Sequence, residues 1–275
     1  MSQYYKEVLA ATNFIKEKIK EFKAQFGIIL GTGLGGLVNE IDIVLTIDYK
    51  DIPNFPLSTV ETHTGRLIFG QLGGKNVVAM QGRFHYYEGY SMLQVTFPVR
   101  VLKLLGIEKL FISNAAGGLH PEQEKGDLMI IKDHINLHYE NPLRGENIEE
   151  FGPRFPDMFE CYSPLLIEKG LTIAKENNIR CIAGIYAGVP GPNLETKAEY
   201  VYLNKIGADA VGMSTVPEVI VAVHMNLPVF AVSVITDICY PPDRLQAVDI
   251  PEIIAVAGQA EPKMTLLLKE LITSL

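Results

Sequence analysis

Short apolar runs alternate with stretches of helical period along most of this chain, and that alternation restricts its fold more than any other feature. FGIIL (26–30), IDIVLTI (41–47), RLIFGQL (66–72), NVVAM (76–80), KLFIS (109–113), DLMIIK (127–132) and PVFAVSVI (228–235) have the length and β-branched content of strands. Between them, helical patterns occupy about 91–106, 163–177, 195–206, 215–225 and 251–273. Ahead of them all, Tyr5, Val8, Thr12, Ile15, Ile19 and Phe22 recur at steps of three and four, as on one face of an amphipathic helix. Strands without polar alternation are buried on both faces, so the expectation is an α/β fold with a mixed sheet covered by helices. Gly73-Gly74 between two of the runs predicts a tight antiparallel hairpin. No repeat or Pro/Ser-rich linker divides the chain, which reads as one domain over 1–275 with one irregular excursion at 138–162.

Composition narrows the function. The formal charge is -8 and no run of five or more Lys and Arg occurs, which argues against a nucleic-acid polymer as ligand. Cys161, Cys181 and Cys239 are odd in number and contain no C-x-x-C pair, so neither a disulfide framework nor a zinc ribbon is expected. No apolar run approaches the ~18 to 20 residues of a membrane span, and the charged N-terminal stretch has no signal-peptide core. These features fit a cytoplasmic protein with no membrane partner.

ILGTGLGG (29–36) places Gly31, Gly33 and Gly36 at the G-x-G-x-x-G spacing of a dinucleotide-binding turn. Only Leu37 to Glu40 separate it from the next apolar run, whereas a parallel crossover needs about 10 to 12 residues or more. Two alternatives remain: a tight strand exit, or an anion cradle of backbone N–H groups and the Thr32 hydroxyl.

Five further clusters carry polar chemistry. In GRFHYYEGY (82–90), an extended backbone puts Arg83, His85 and Tyr87 on one side, either as an exposed strand end or as an anion-recognition face. SNAAGGL (113–119) ends a strand in small residues that permit a close ligand approach or merely form a turn. Glu195, in GPNLET, either opens the following helix or points into a pocket as an acceptor. Met213 and Ser214 fall at a strand-to-helix turn, where Ser caps helices and N–H groups bind anions. Asp237 follows a strand and precedes a Pro pair, as a turn former or a ligand group.

Taken in order, ILGTGLGG, GRFHYYEGY, SNAAGGL, GPNLET and GADAVGMSTVPE strongly resemble the trimeric family of purine nucleoside phosphorylases over nearly the whole chain. The resemblance implies a mixed sheet with a distorted barrel surrounded by helices, a homotrimer, and reversible phosphorolysis of purine nucleosides. It implies no metal or cofactor, with inorganic phosphate as co-substrate. On this resemblance phosphate meets Thr32, His63, Arg83, His85, the backbone of Ala115, and Ser214. The nucleoside meets Tyr87, Ala115, Leu194, Glu195, Val211, Met213, Asp237 and Ile250, with Phe155 reaching into a neighbouring subunit's site. His85, Glu195 and Asp237 are the expected catalytic groups.

Two positions depart from the family's commoner pattern. Asp237 stands where Asn is usual, and a carboxylate only accepts unless protonated, which favours a 6-amino group or a general-acid role. Glu195 matches instead the acceptor for the N1–H of a 6-oxopurine. Ile250 stands where a His commonly meets the ribose 5′-hydroxyl, which favours an apolar 5′ substituent as in methylthioadenosine phosphorylases.

Overall fold

The computed structural model describes residues 2–31, 34–57 and 65–275. Nine strands among these residues form one sheet: β1 Phe26–Leu30, β2 Asp42–Asp48, β3 Arg66–Leu72, β4 Lys75–Gln81, β5 Lys109–Gly118, β6 Leu128–Asn136, β7 Cys181–Gly188, β8 Ala210–Gly212 and β9 Val229–Ile238. Six helices surround it: α1 Gln3–Ile19, α2 Met92–Leu105, α3 Pro164–Glu176, α4 Lys197–Lys205, α5 Val216–His224 and α6 Ile250–Thr273. The strand order is β2-β3-β4-β1-β5-β8-β7-β6-β9, and β9 also pairs with β5. That second pairing closes β5, β8, β7, β6 and β9 into a distorted barrel, while β1 to β4 form an open wing. The expected α/β fold with a barrelled mixed sheet is therefore the one observed.

Burial on both faces explains the unbroken apolar strands. All five residues of β1 are buried. Ile29 belongs to the same buried apolar cluster as Val8, Ala11 and Ile15 of α1, while Ile28 and Leu30 belong to the one that contains Leu267 and Leu271 of α6. β2 is the exception, because it is an edge strand: Ile43 and Val44 are exposed. The β3–β4 hairpin has the expected turn, with positive φ at both Gly73 and Gly74.

The glycine loop does not begin a dinucleotide fold. A 3₁₀ turn (Gly35–Glu40) follows it, and β1 pairs in parallel with β4 and β5 rather than with β2. The crossover that a dinucleotide turn requires is not there. A Cβ at Gly31 would fall 2.8 Å from Ser113 O and Asn114 Cα, so this glycine lets the β1 exit lie directly against the middle of β5.

Three expectations need correction. β5 does not stop at Ser113 but runs on through Gly118, where small residues let β8 and β9 approach from either side. β7 and β8 were not among the expected strands: β7 is broken up by Gly184 and Gly188, and β8 has three residues, so neither makes an apolar run. α1 ends at Ile19, leaving Phe22 to pack from the loop beyond it. The excursion at 138–162 contains no helix or strand, yet it is anchored by Phe151, which is buried against Tyr5 and beneath the Arg100 guanidinium.

Candidate active site

A cavity of about 430 Å³ opens where β5, β8 and β9 end and the segments before α4, α5 and α6 begin. Arg83, His85, Tyr87, Ala115, Leu194, Glu195, Val211, Met213, Ser214, Asp237 and Ile250 all line it. Eleven residues chosen from six separate stretches of sequence thus meet around one space. Phe155 does not, being 87% exposed on the excursion. Thr32 and His63 lie outside the described residues.

One end of the cavity is built to hold negative charge. Arg83 is almost wholly buried, and its guanidinium is fixed on three sides. Nε donates to Glu218 Oε1 at 3.1 Å, and Nη1 donates to Ser113 O at 3.1 Å and Ser214 Oγ at 2.8 Å. Glu218 comes from α5 and is itself buried, so the pair is an internal ion pair that aims a cation at the cavity. His85 donates from Nδ1 to Glu88 Oε1 at 2.9 Å, and the same oxygen accepts from the His85 backbone N–H at 2.8 Å. The extended backbone expected here gives way at Tyr86 to a 3₁₀ turn (Tyr86–Glu88). That turn stacks the rings of His85 and Tyr87 with centroids 4.7 Å apart, keeping both on the cavity side. Burial, with Glu88 nearby, pushes the Tyr87 phenol up to about 12, so it stays a neutral hydroxyl.

Ser214 is not the cap of α5. Thr215 occupies that position with φ 71° and ψ -54°, and Val216 N donates to Ser214 O at 2.7 Å, which makes a γ-turn. Positive φ in a buried β-branched residue is strained and persists only where the surroundings over-determine it. Here Asn114 Nδ2 donates to Thr215 Oγ1 at 2.8 Å. The turn releases the Ser214 hydroxyl from capping and points it at Arg83.

The other end of the cavity carries two carboxylates. Thr196, not Glu195, caps α4, in a capping box with Glu199. Glu195 therefore stands outside the helix and faces the cavity. Burial raises its pKa, and Asp237 adds to the effect while Tyr200 opposes it by hydrogen bonding. Asp237 lies within β9, not past it, and its Oδ1 and Oδ2 accept from Thr236 Oγ1 at 2.9 Å and Cys239 Sγ at 3.1 Å. Ile250, Ile253 and Ile254 of α6 give the remaining wall an apolar surface.

Several groups that shape the site were missed in the sequence: Glu88, Asn114, Tyr200, Glu218, Thr236 and Cys239. Glu218 had a signal, as a single charge inside the apolar run VPEVIVAV. Glu88 had a weaker one, three residues after His85. Tyr200 had none, because its place in α4 reads as an ordinary core position. Among the described residues no group of three His, Cys, Asp or Glu could hold a metal ion, and no helix is long and apolar enough to cross a membrane.

A barrelled mixed sheet with an anion-holding end and a carboxylate end to one cavity defines a class, and the chain belongs to it: residues 25–273 match the phosphorylase superfamily. Among its relatives, the chain is 53% identical over 227 residues to "Purine nucleoside phosphorylase 1" of Bacillus subtilis, covering 82% of this chain and 83% of that one. It is 53% identical over 222 residues to the purine nucleoside phosphorylase of Mus musculus, covering 79% and 77%. The solved Schistosoma mansoni purine nucleoside phosphorylase in complex with adenosine superimposes with a TM-score of 0.92 at 41% identity, covering 98% of this chain and 97% of that one.

Proposed function

We propose that this chain is a purine nucleoside phosphorylase, which transfers the pentosyl group of a purine nucleoside to inorganic phosphate. The observation that carries the reading is the polarity of one cavity, with Arg83, His85 and Ser214 at one end and Glu195 and Asp237 at the other. A phosphate oxygen forms a bond to C1′ as the C1′–N9 bond breaks, and the electron pair of that bond passes into the purine, which takes up a proton. No protein nucleophile is needed for this. The sugar gains positive charge and the purine negative charge, so fixed charges and hydrogen bonds at the two ends lower the barrier. Arg83, His85, Ser214 and the Ala115 backbone hold phosphate, with Thr32 and His63 completing that end. Tyr87 and Met213 meet the ribose, with Ala115, Leu194 and Val211 beside it, and Glu195 and Asp237 read and stabilise the base. Phosphate is a reactant here, and no cofactor takes part.

A second reading within this class is favoured by two observations. Both Asp237 oxygens already accept from protein donors, so the carboxylate is held as an acceptor for a 6-amino group. Ile250, Ile253 and Ile254 offer an apolar contact to the 5′ end. An adenine nucleoside, with adenosine or methylthioadenosine as its form, fits these better than a 6-oxopurine nucleoside. We further propose a cytoplasmic homotrimer in which the exposed Phe155 enters a neighbour's cavity. Incubation with inosine, guanosine, adenosine and methylthioadenosine, each with and without phosphate, tests the assignment. Phosphate-dependent release of base is expected, greatest for the adenine nucleosides, and release independent of phosphate would mark a hydrolase.

A further inference from the structure

The carboxylate end of the cavity contains two buried donors beside its two carboxylates. Tyr200, from α4, and Cys239, at the end of β9, are 5% and 2% exposed and both line the cavity beside Glu195 and Asp237. Tyr200 lies close enough to Glu195 to favour its ionised form, and Cys239 Sγ donates to Asp237 Oδ2 at 3.1 Å. The same two residues, with Asp237, also wall an adjoining cavity of about 420 Å³, so they stand between the two spaces. Room for the thiol depends on Gly117, where a Cβ would lie 2.6 Å from Cys239 Sγ and 3.3 Å from Asp237 Oδ2.

Each donor has a single proton: the thiol gives its proton to Asp237, and the phenol offers its own to Glu195. Burial, followed by neighbouring acidic groups, holds both the thiol and the phenol far above their ordinary ranges, which keeps them donors.

We infer that Tyr200 and Cys239 are specificity-determining positioning residues, Cys239 by donating to Asp237 and Tyr200 by donating to Glu195, which hold Asp237 as an acceptor for a purine with a 6-amino donor. The inference rests on the phosphorylase reading above and assigns the base preference to two side chains outside the carboxylate pair. Without the thiol, Oδ2 loses its donor, and Asp237 is no longer held in place as an acceptor against the 6-position of the base. Without the phenol, Glu195 loses its side-chain donor and keeps only a backbone one to favour its ionised form. The other charged groups that face Glu195 are Glu199 on its own segment and Asp237 from β9, both of which work against ionisation.

The test compares kcat/KM for adenosine and inosine at saturating phosphate from pH 5 to 9, in the full-length protein and in Cys239→Ala, Cys239→Ser and Tyr200→Phe. Cys239→Ala is expected to lower the adenosine-to-inosine ratio about fivefold, the scale of one neutral hydrogen bond, and Cys239→Ser to restore it. Tyr200→Phe is expected to move the acid limb of the inosine profile to higher pH while leaving the phosphate KM in place. A ratio unmoved by Cys239→Ala, or an acid limb unmoved by Tyr200→Phe, overturns the assignment. An unmodified protein that releases neither base overturns the phosphorylase reading itself, which is a separate result.

Discussion

Arg83 and Asp237 concentrate the chemistry of the two ends of the cavity, and each makes a separable claim. Arg83→Ala removes the only guanidinium lining the cavity among the described residues. The phosphate KM should rise by about tenfold or more, the worth of a charge-assisted hydrogen bond, with a much smaller change in nucleoside KM. Steady-state kinetics with each substrate varied in turn reads this, and an unchanged phosphate KM removes Arg83 from the anion end. Asp237→Asn replaces an acceptor by a group that also donates, so the ratio of inosine to adenosine turnover should rise. An unaltered ratio means that position 237 does not set base choice. Both residues stood out in the sequence because polar side chains beside strand ends are uncommon without a task. Cys239 and Tyr200 did not, since a thiol and a phenol in buried positions look like core until a carboxylate is found at hydrogen-bond distance.

At the scale of elements, the γ-turn at Thr215 and helix α5 act together to present Arg83 and Ser214 to the cavity. Glu218 is the support from below, and it is buried with Arg83 as its ion-pair partner. Glu218→Ala leaves a buried guanidinium without that partner and should cost roughly 3 kcal/mol or more of stability. Thermal or denaturant unfolding measures the loss, and a variant as stable as the parent shows that Glu218 does not support Arg83. The elements that apolar periodicity reveals, such as β1, β4 and α6, were legible with nearly their observed bounds. β7 and β8 were not, because glycines interrupt the first and three residues are too few to show a period in the second. The turns that orient site residues were legible only in part. Ser214 read as a helix cap by its residue type, whereas tertiary contacts place Thr215 there and strain its backbone.

For the whole molecule, closure of β5 to β9 into a barrel gathers six distant stretches of sequence around one cavity, and that gathering was visible only as an ordered set of motifs. Tyr139, Phe155 and Phe159 are each more than 80% exposed on the excursion, an apolar surface of the kind that subunits cover. Sedimentation should give three times the mass of one chain, and Phe155→Ala should lower kcat/KM for the nucleoside without dissociating the trimer. A monomeric chain with full activity removes both the trimer and the neighbour's contribution to the site. The central claim, that inorganic phosphate is the attacking group, is tested most directly by following base and sugar products from adenosine as phosphate is raised from zero. The account predicts base release that saturates with phosphate and yields ribose 1-phosphate in equal amount; base release at full rate without phosphate, with free ribose as product, contradicts it.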